Sequence, residues 1–211
     1  MSNLLIGLTG TYCAGKNYVS HILEKRGLSV LDIDKLGHEV IESEKERILR
    51  RFGEDILSPD GRIDRKKLGK KVFGKPEELA ALEGIIHPAA NQQTLSWIKS
   101  QGSKSCVINA ALLHRSIVFE TLDAIIIVEA PLMVRFFRAK KRDRLPTLTL
   151  VKRFMSQRGF RAQYFRGKTD IYRVKNDSNR CKKIEFRIDE ILSLLGVIGC
   201  ENGTERTIST G

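Results

Sequence analysis

Apolar residues recur along the chain in two rhythms. Short, nearly unbroken apolar runs stand at Leu4 to Leu8, Leu28 to Leu31, Ser105 to Ala110 and Leu122 to Ala130. Runs of this length without polar alternation are what strands covered on both faces of a parallel sheet look like. Between them the apolar spacing changes to three and four residues, the mark of a helix. Val19, Ile22 and Leu23 follow the first run, and Lys35 to Arg51 follows the second. Leu79, Leu82, Ile85 and Ile86 form a further helix, expected to end at His87-Pro88 because a proline disfavours helical torsions in the residue before it. Asp170 to Val174 reads as a last strand and Ile184 to Leu195 as an amphipathic helix. Strands alternating with helices predict an α/β fold with a doubly wound parallel sheet.

The junction between the first strand and the first helix is rich in chemistry. The strand stops at Gly10-Thr11-Tyr12-Cys13-Ala14-Gly15-Lys16-Asn17, and the helix follows at once. Strand, glycine loop and helix are the setting in which GxxxxGK[ST] reads as a phosphate-binding P-loop, because backbone N–H groups at a helix N-terminus then converge on a phosphate. One position departs from the pattern. Asn17 stands where a Mg²⁺-binding hydroxyl is usual, and it offers an amide oxygen instead.

The second strand runs into Asp32-Ile33-Asp34. Alternation along an extended strand end puts both aspartates on one side, and the carboxyl end of a strand in an open α/β sheet faces the ligand crevice. One of the two is also a natural N-cap for the helix that follows.

Composition narrows the class. The 211 residues are 41% hydrophobic and 29% charged, enough to bury a sizeable core. The longest apolar runs fall far short of the roughly 20 residues of a membrane span. No basic region leads a long apolar stretch at the N-terminus, so no secretory signal is expected. Cys13, Cys106, Cys181 and Cys200 are scattered, with no metal-site spacing, which suits thiols in a reducing cytoplasm. Lys and Arg outnumber Asp and Glu by 37 to 25, a net charge of +12 that favours anionic partners. The cations lack aromatic interleaving or an RNA-binding signature, so phosphate-rich small molecules account for the charge better than nucleic acid.

Two further segments carry candidate function. Asp60 to Leu95 reads as a mostly helical insertion containing Asp64-Arg65, and His87 stands at its expected helix boundary. After the fourth strand a cation-rich run from Arg135 to Arg144 places Arg135, Arg138 and Arg142 on one helix face, and a second helix through Gln157, with Arg153 and Arg158, follows Pro146. Such an arginine hairpin can close over a nucleotide, offering planar donors to phosphate oxygens and excluding water.

In this order the parts resemble the dephospho-coenzyme A kinases over about 195 residues of the chain. The P-loop, the Asp32/Asp34 pair, DGRIDRKKL at Asp60 to Leu68, LEGIIHP at Leu82 to Pro88 and ALLHR at Ala111 to Arg115 carry the resemblance, together with the lid from Arg135 to Asp143, Gln157, Thr169-Asp170 and Asn176. It implies a P-loop NTPase-like sheet with a helical substrate-binding insertion and a helical arginine lid. On that reading residues 1–198 divide into a core (1–34, 103–134 and 168–198), an acceptor-binding insertion (35–102) and a lid (135–167), and 199–211 form a disordered tail.

The implied reaction is ATP-dependent phosphorylation of the ribose 3′-hydroxyl of dephospho-coenzyme A, the last step of coenzyme A synthesis. Family roles carried over to this chain make Asp34, Lys16 and Arg142 catalytic. Gly10, Thr11, Tyr12, Cys13, Ala14, Gly15, Lys16, Asn17 and Tyr18 would hold ATP with Arg138 and Arg142. Asp32, Asp34, Asp64, Arg65, His87, Leu112 and Leu113 would shape the acceptor side, and Asn17 and Asp32 would lie at Mg²⁺. The partners expected are these two small molecules, for a monomer or weak homo-oligomer, with neither membrane nor nucleic acid involved.

Three departures from the family pattern stand beside Asn17: the loop centre is Tyr12-Cys13 where small residues are usual, Asn109 replaces an aspartate, and Arg115 replaces a glutamate. A P-loop kinase for a nucleoside or nucleotide, and a non-catalytic basic nucleotide- or RNA-binding protein, remain alternatives at this point.

Overall fold

In the computed structural model, which describes residues 3–143, 145–156, 169–177 and 181–197, the apolar runs pair into one sheet. β1 (Leu5–Gly10), β2 (Ser29–Asp32), β3 (Cys106–Asn109), β4 (Ala124–Glu129) and β5 (Asp170–Lys175) lie in the order β2-β3-β1-β4-β5, with every neighbouring pair parallel. β4 is buried along its whole length, which is why its sequence does not alternate.

Each face of the sheet is covered by helices. On one side Val19, Ile22 and Leu23 of α1 (Lys16–Lys25) and Ile184, Ile188, Ile191 and Leu192 of α8 (Cys181–Leu194) pack on Ile6, Leu8, Val107, Ile126, Val128 and Val174. Across the sheet, Ile108, Ile125 and Ile127 are covered by Leu113, Val118 and Leu122, joined by Trp97 and Ile98.

The insertion builds a third core of its own. α2 (Ile33–Ser43), α3 (Lys45–Phe52), α4 (Arg65–Val72) and α5 (Pro76–Ser100) surround Ile48, Phe52, Ile56, Ile63, Leu68, Val72 and Leu82. Two sequence expectations fail here. The single helix expected from Lys35 to Arg51 is two, separated at Glu44, and the first begins at Ile33, two residues early. The helix expected to end at His87-Pro88 continues through Pro88 to Ser100. Pro88 forfeits one backbone bond, but α5 packs on both α2 and α4. One end of it, at Leu82, closes the insertion core, and Trp97 and Ile98 at the other reach the sheet. A span of 25 residues, about 37 Å at the helical rise, thus ties two cores together, and that burial outweighs the local preference of the dipeptide.

The hairpin after β4 is helical as expected, with α6 (Leu132–Asp143) followed by α7 (Thr147–Ser156). Arg144, Gln157, Arg158 and the expected tail 199–211 lie outside the described residues. Thr169 and Asp170 stand at the start of β5, and Asp170 pairs with Ala124 at the end of the sheet away from the P-loop.

Gly10, at the carboxyl end of β1, is required by close approach: a Cβ there would stand 2.7 Å from the Val128 carbonyl oxygen. Backbone cannot move aside as a flexible side chain can. Gly10→Ala is therefore expected to destabilise the protein by about 1–3 kcal/mol, the range for overpacking. Gly84→Ala, in α5 with open space around the new methyl, should stabilise by about 0.5–1 kcal/mol. Urea unfolding midpoints of the two variants should move in opposite directions.

Candidate active site

The loop leaving β1 is pinned at several points. Thr11 N–H donates to the Val128 carbonyl at 3.3 Å and Ala14 N–H to the Thr11 carbonyl at 2.9 Å. Gly15 is the N-cap of α1, with φ 97° and ψ 28°, and no side chain caps the helix. A Cβ at this position would lie 2.2 Å from Asn176 Nδ2, so glycine is needed twice over. Asn176, just past β5, donates from Nδ2 to the Ala14 carbonyl at 2.8 Å. Arg138 of α6 donates to that same carbonyl at 3.3 Å and to Asn176 Oδ1 at 3.0 Å. Its guanidinium is therefore committed to the loop backbone, where it braces the first turn of α1. That turn presents N–H groups with no intrahelical partner and the positive end of a helix dipole.

Lys16, on the first turn, reaches across to α2. Its Nζ lies 3.0 Å from Asp34 Oδ2, with the lysine side chain largely buried and the carboxylate half exposed. The Ala111 N–H, at the end of β3, donates to the same oxygen at 3.2 Å. Asp34 thus joins the P-loop lysine to the loop after β3. The two aspartates do not share a strand face, because the helix has already begun at Ile33. Asp34 belongs to its first turn, and Asp32 is its N-cap, accepting from Lys35 N–H at 3.1 Å.

Asp32 faces a polar cavity of about 270 Å³ that it shares with Asn17, Asn109, Ser20, Glu24, Lys35 and Glu39. Asn109 is buried and donates from Nδ2 to Asp32 Oδ2 at 3.3 Å, while its Oδ1 has no partner. The Asp32, Glu24 and Glu39 carboxylates and the Asn17 amide on the lining of this one space offer hard oxygens of the kind Mg²⁺ takes. No three His, Cys, Asp or Glu side chains among the described residues are grouped so as to hold a metal ion by themselves.

The lid meets the loop at Tyr12. Arg142 lies with its guanidinium carbon 5.3 Å from the Tyr12 ring centroid and donates from Nε to Asp143 at 2.7 Å. That bond raises the Arg142 pKa above its ordinary value and, with the others Asp143 accepts, holds the Asp143 carboxyl below its own. Beside this contact, Leu132, Met133, Phe136, Val151, Phe154 and Met155 line a mainly apolar cavity of about 580 Å³ that opens on Thr11.

The remaining expected residues divide. Leu112 is exposed, but Leu113 is fully buried in the sheet core, so it supports the loop instead of contacting an acceptor. Asp64 caps α4 by accepting from Lys66 and Lys67 N–H groups, and Arg65 and His87 are exposed on the helices of the insertion. The structural part of Asn176, the Ala111 N–H and the role of Asp143 were not anticipated from sequence. The lone acid in the cation-rich run was the available signal for the last.

Comparison with known proteins agrees with this geometry. The Dephospho-CoA kinase family model matches residues 4–179. Dephospho-CoA kinase of Treponema pallidum is 31% identical over 205 residues, covering 92% of this chain and 97% of the relative. The Xanthomonas campestris enzyme of the same name is 33% identical over 184 residues, covering 85% and 87%. Among solved structures, a Thermus thermophilus protein superimposes with a TM-score of 0.72 at 26% identity, covering 92% of this chain and 99% of its own. Shikimate kinase of Bacteroides thetaiotaomicron, at TM-score 0.53 and 13% identity over 92% and 98% of the two chains, shares the fold.

Cys13, at φ 59° in the loop, has its thiol pKa raised, first by burial. The thiolate is the reactive form, so alkylation of Cys13 by iodoacetamide should be slower than that of free cysteine at pH 7 and accelerate above pH 9. Peptide mass spectrometry reads this position separately from the other cysteines.

Proposed function

Because the chain belongs to the dephospho-CoA kinase family, we propose that it transfers the γ-phosphoryl group of ATP to the ribose 3′-hydroxyl of dephospho-CoA, giving CoA and ADP. The observation that carries this reading is the meeting of Lys16, Asp34 and the Ala111 N–H at the uncapped start of α1. A phosphate-binding cation and a carboxylate able to receive a hydroxyl proton stand together at one strand edge.

Phosphoryl transfer passes through a loose transition state, so positioning and charge stabilisation dominate. The P-loop from Gly10 to Tyr18 would cradle the ATP phosphates, and Lys16 would exchange Asp34 for a phosphate oxygen as they arrive. At an effective dielectric of about 20, a cation about 4 Å from a phosphate charge contributes about 4 kcal/mol of attraction. Asp34, released from the lysine but still held by Ala111 N–H, would orient the 3′-hydroxyl and take its proton late. A weak base suffices for a proton taken late.

Arg142 would reach the transferring group from the lid. Asn17 and Asp32, with Asn109 behind them, would hold Mg²⁺ through oxygen atoms and bound water, and the metal when bound supplies further charge neutralisation at the phosphates. The apolar cavity beside Thr11 is where we place the adenosine of the acceptor, since the reacting hydroxyl is on its ribose and has to reach the loop. Leu112, Asp64, Arg65 and His87 remain candidates for the rest of the acceptor. A cytoplasmic setting fits the free thiols of Cys13 and Cys106, and no described helix is long and apolar enough to cross a membrane.

The direct test is formation of CoA from dephospho-CoA and Mg·ATP by the purified protein, with a panel of nucleosides as competing acceptors; preference for a nucleoside would refute the acceptor assignment. Asp34→Asn should lower kcat by about 10²–10⁴, the usual size of a general-base contribution. Calorimetry should find ATP affinity within a few-fold of wild type, and a large loss of binding would contradict the assignment. Asn17→Thr should stay active with an altered Mg²⁺ dependence.

A further inference from the structure

The side chain of Tyr12, in the P-loop, touches both helices of the lid. Its ring lies 5.4 Å from that of Phe154 on α7, edge to face. The guanidinium of Arg142, from α6, stands 5.3 Å from the ring centroid, and that of Arg153, from α7, stands 5.8 Å away. The hydroxyl donates to Asp143 and accepts from Arg153 Nη1 at 3.3 Å. Asp143 in turn holds Arg142 through Nε at 2.7 Å and Nη2 at 3.3 Å, and lies 3.5 Å from Arg153.

These contacts form one closed set. Two cations share an aromatic ring, a carboxylate fixes the direction of both guanidinium planes, and the ring belongs to the loop that would carry the nucleotide phosphates. Arginine favours such a place because its flat, weakly hydrated group stacks on a ring while its N–H edge stays available. The Arg142 and Arg153 side chains are 61% and 51% exposed, so their outer faces are open to a ligand. A small residue at this position would give the lid cations no platform on the loop.

We propose that Tyr12 is a positioning residue for the transfer reaction, holding Arg142 and Arg153 over the P-loop so that the polyphosphate of ATP meets pre-placed donors. Donors placed in advance lose less conformational freedom when the ligand binds. Tyr12 itself neither gives nor takes the phosphoryl group. The inference rests on the reading of the loop as the ATP site.

Steady-state kinetics of three variants, with ATP and dephospho-CoA varied in turn, test it. Tyr12→Ala should raise the KM for ATP about tenfold, the scale of two partly exposed cation–π contacts, with the KM for dephospho-CoA unchanged. Tyr12→Phe keeps the platform and should stay within about threefold of wild type. In an Arg153→Ala background, Tyr12→Ala should cost less than it does alone, because the two act through one contact. Trypsin should cut the lid faster in Tyr12→Ala, while the urea midpoint stays where it was.

An active Tyr12→Ala enzyme with the wild-type KM for ATP would overturn the proposal. So would a Tyr12→Phe enzyme as impaired as the alanine variant, since the hydroxyl and not the ring would then be what matters. Absence of CoA formation by the wild-type protein would instead count against the functional reading, which separates the two failures.

Discussion

Parallel register is the constraint on which the site depends. Asp32 and Leu8 both pair with Asn109, Gly10 pairs with Val128, and Glu129 pairs with Lys175. Five strands pointing one way bring the residues that follow them to a single edge: the P-loop after β1, the cap of α2 after β2, Ala111 after β3, α6 after β4 and Asn176 after β5. A side chain of ordinary length then spans the gap between the segments gathered at that edge. Lys16 meets Asp34, Asn109 meets Asp32 and Asn176 meets Ala14. Loss of register in any one strand would break one of these bridges, so the chemistry inherits its precision from the buried ladder beneath it.

The bridges differ in kind, and the difference fits their work. Asn176 and Arg138 bond the Ala14 carbonyl, neutral backbone whose satisfaction fixes the loop's shape. Lys16 and Asp34 are charged, and although the lysine is largely buried the carboxylate is half open to solvent, so water screens the pair and it adds on the order of 1 kcal/mol to stability. It can accordingly exchange partners at little expense. A lysine held by a carboxylate near the phosphate position is ordered without being trapped, whereas a buried pair would resist the approach of a ligand.

Most of the sheet was legible in the sequence, because strands buried on both faces leave unbroken apolar runs such as Ala124 to Val128 and the motif GTYCAGKN sits where strand turns to helix. Legibility fell wherever a choice between local structures was settled by tertiary contacts. Asp32 and Asp34 look alike in an alternating strand end, and the helix that starts at Ile33 separates them into cap and first-turn residue. Pro88 reads as a stop, yet α5 runs through it because its two ends are buried in different cores. Leu113 beside Leu112 could face either a ligand or the core, and only the packing under β1 assigns it to the core. The lid was visible as a cation-rich run. That its arginines converge on Tyr12 was not, since residues far apart in sequence have to meet before the ring acquires a role.

The departures from the family pattern become coherent when placed together in space. Asn17 and Asn109 line one polar cavity with Asp32, Glu24 and Glu39, so the two amide departures fall in one place, among three carboxylates. An aspartate at 109 would put a like charge against Asp32, at the 3.3 Å contact that Asn109 Nδ2 now makes as a donor. The amide turns a repulsion into a hydrogen bond. It also leaves Oδ1 buried without a partner, an acceptor that is costly unless a cation or water satisfies it. Relative to an aspartate at 109, the amide removes one negative charge beside Asp32. Mg²⁺ prefers to keep several of its waters and needs few direct anionic ligands when phosphates supply charge. With the phosphates of a nucleotide supplying charge, the Asn17 amide would serve Mg²⁺ as a neutral oxygen donor beside the Asp32 carboxylate.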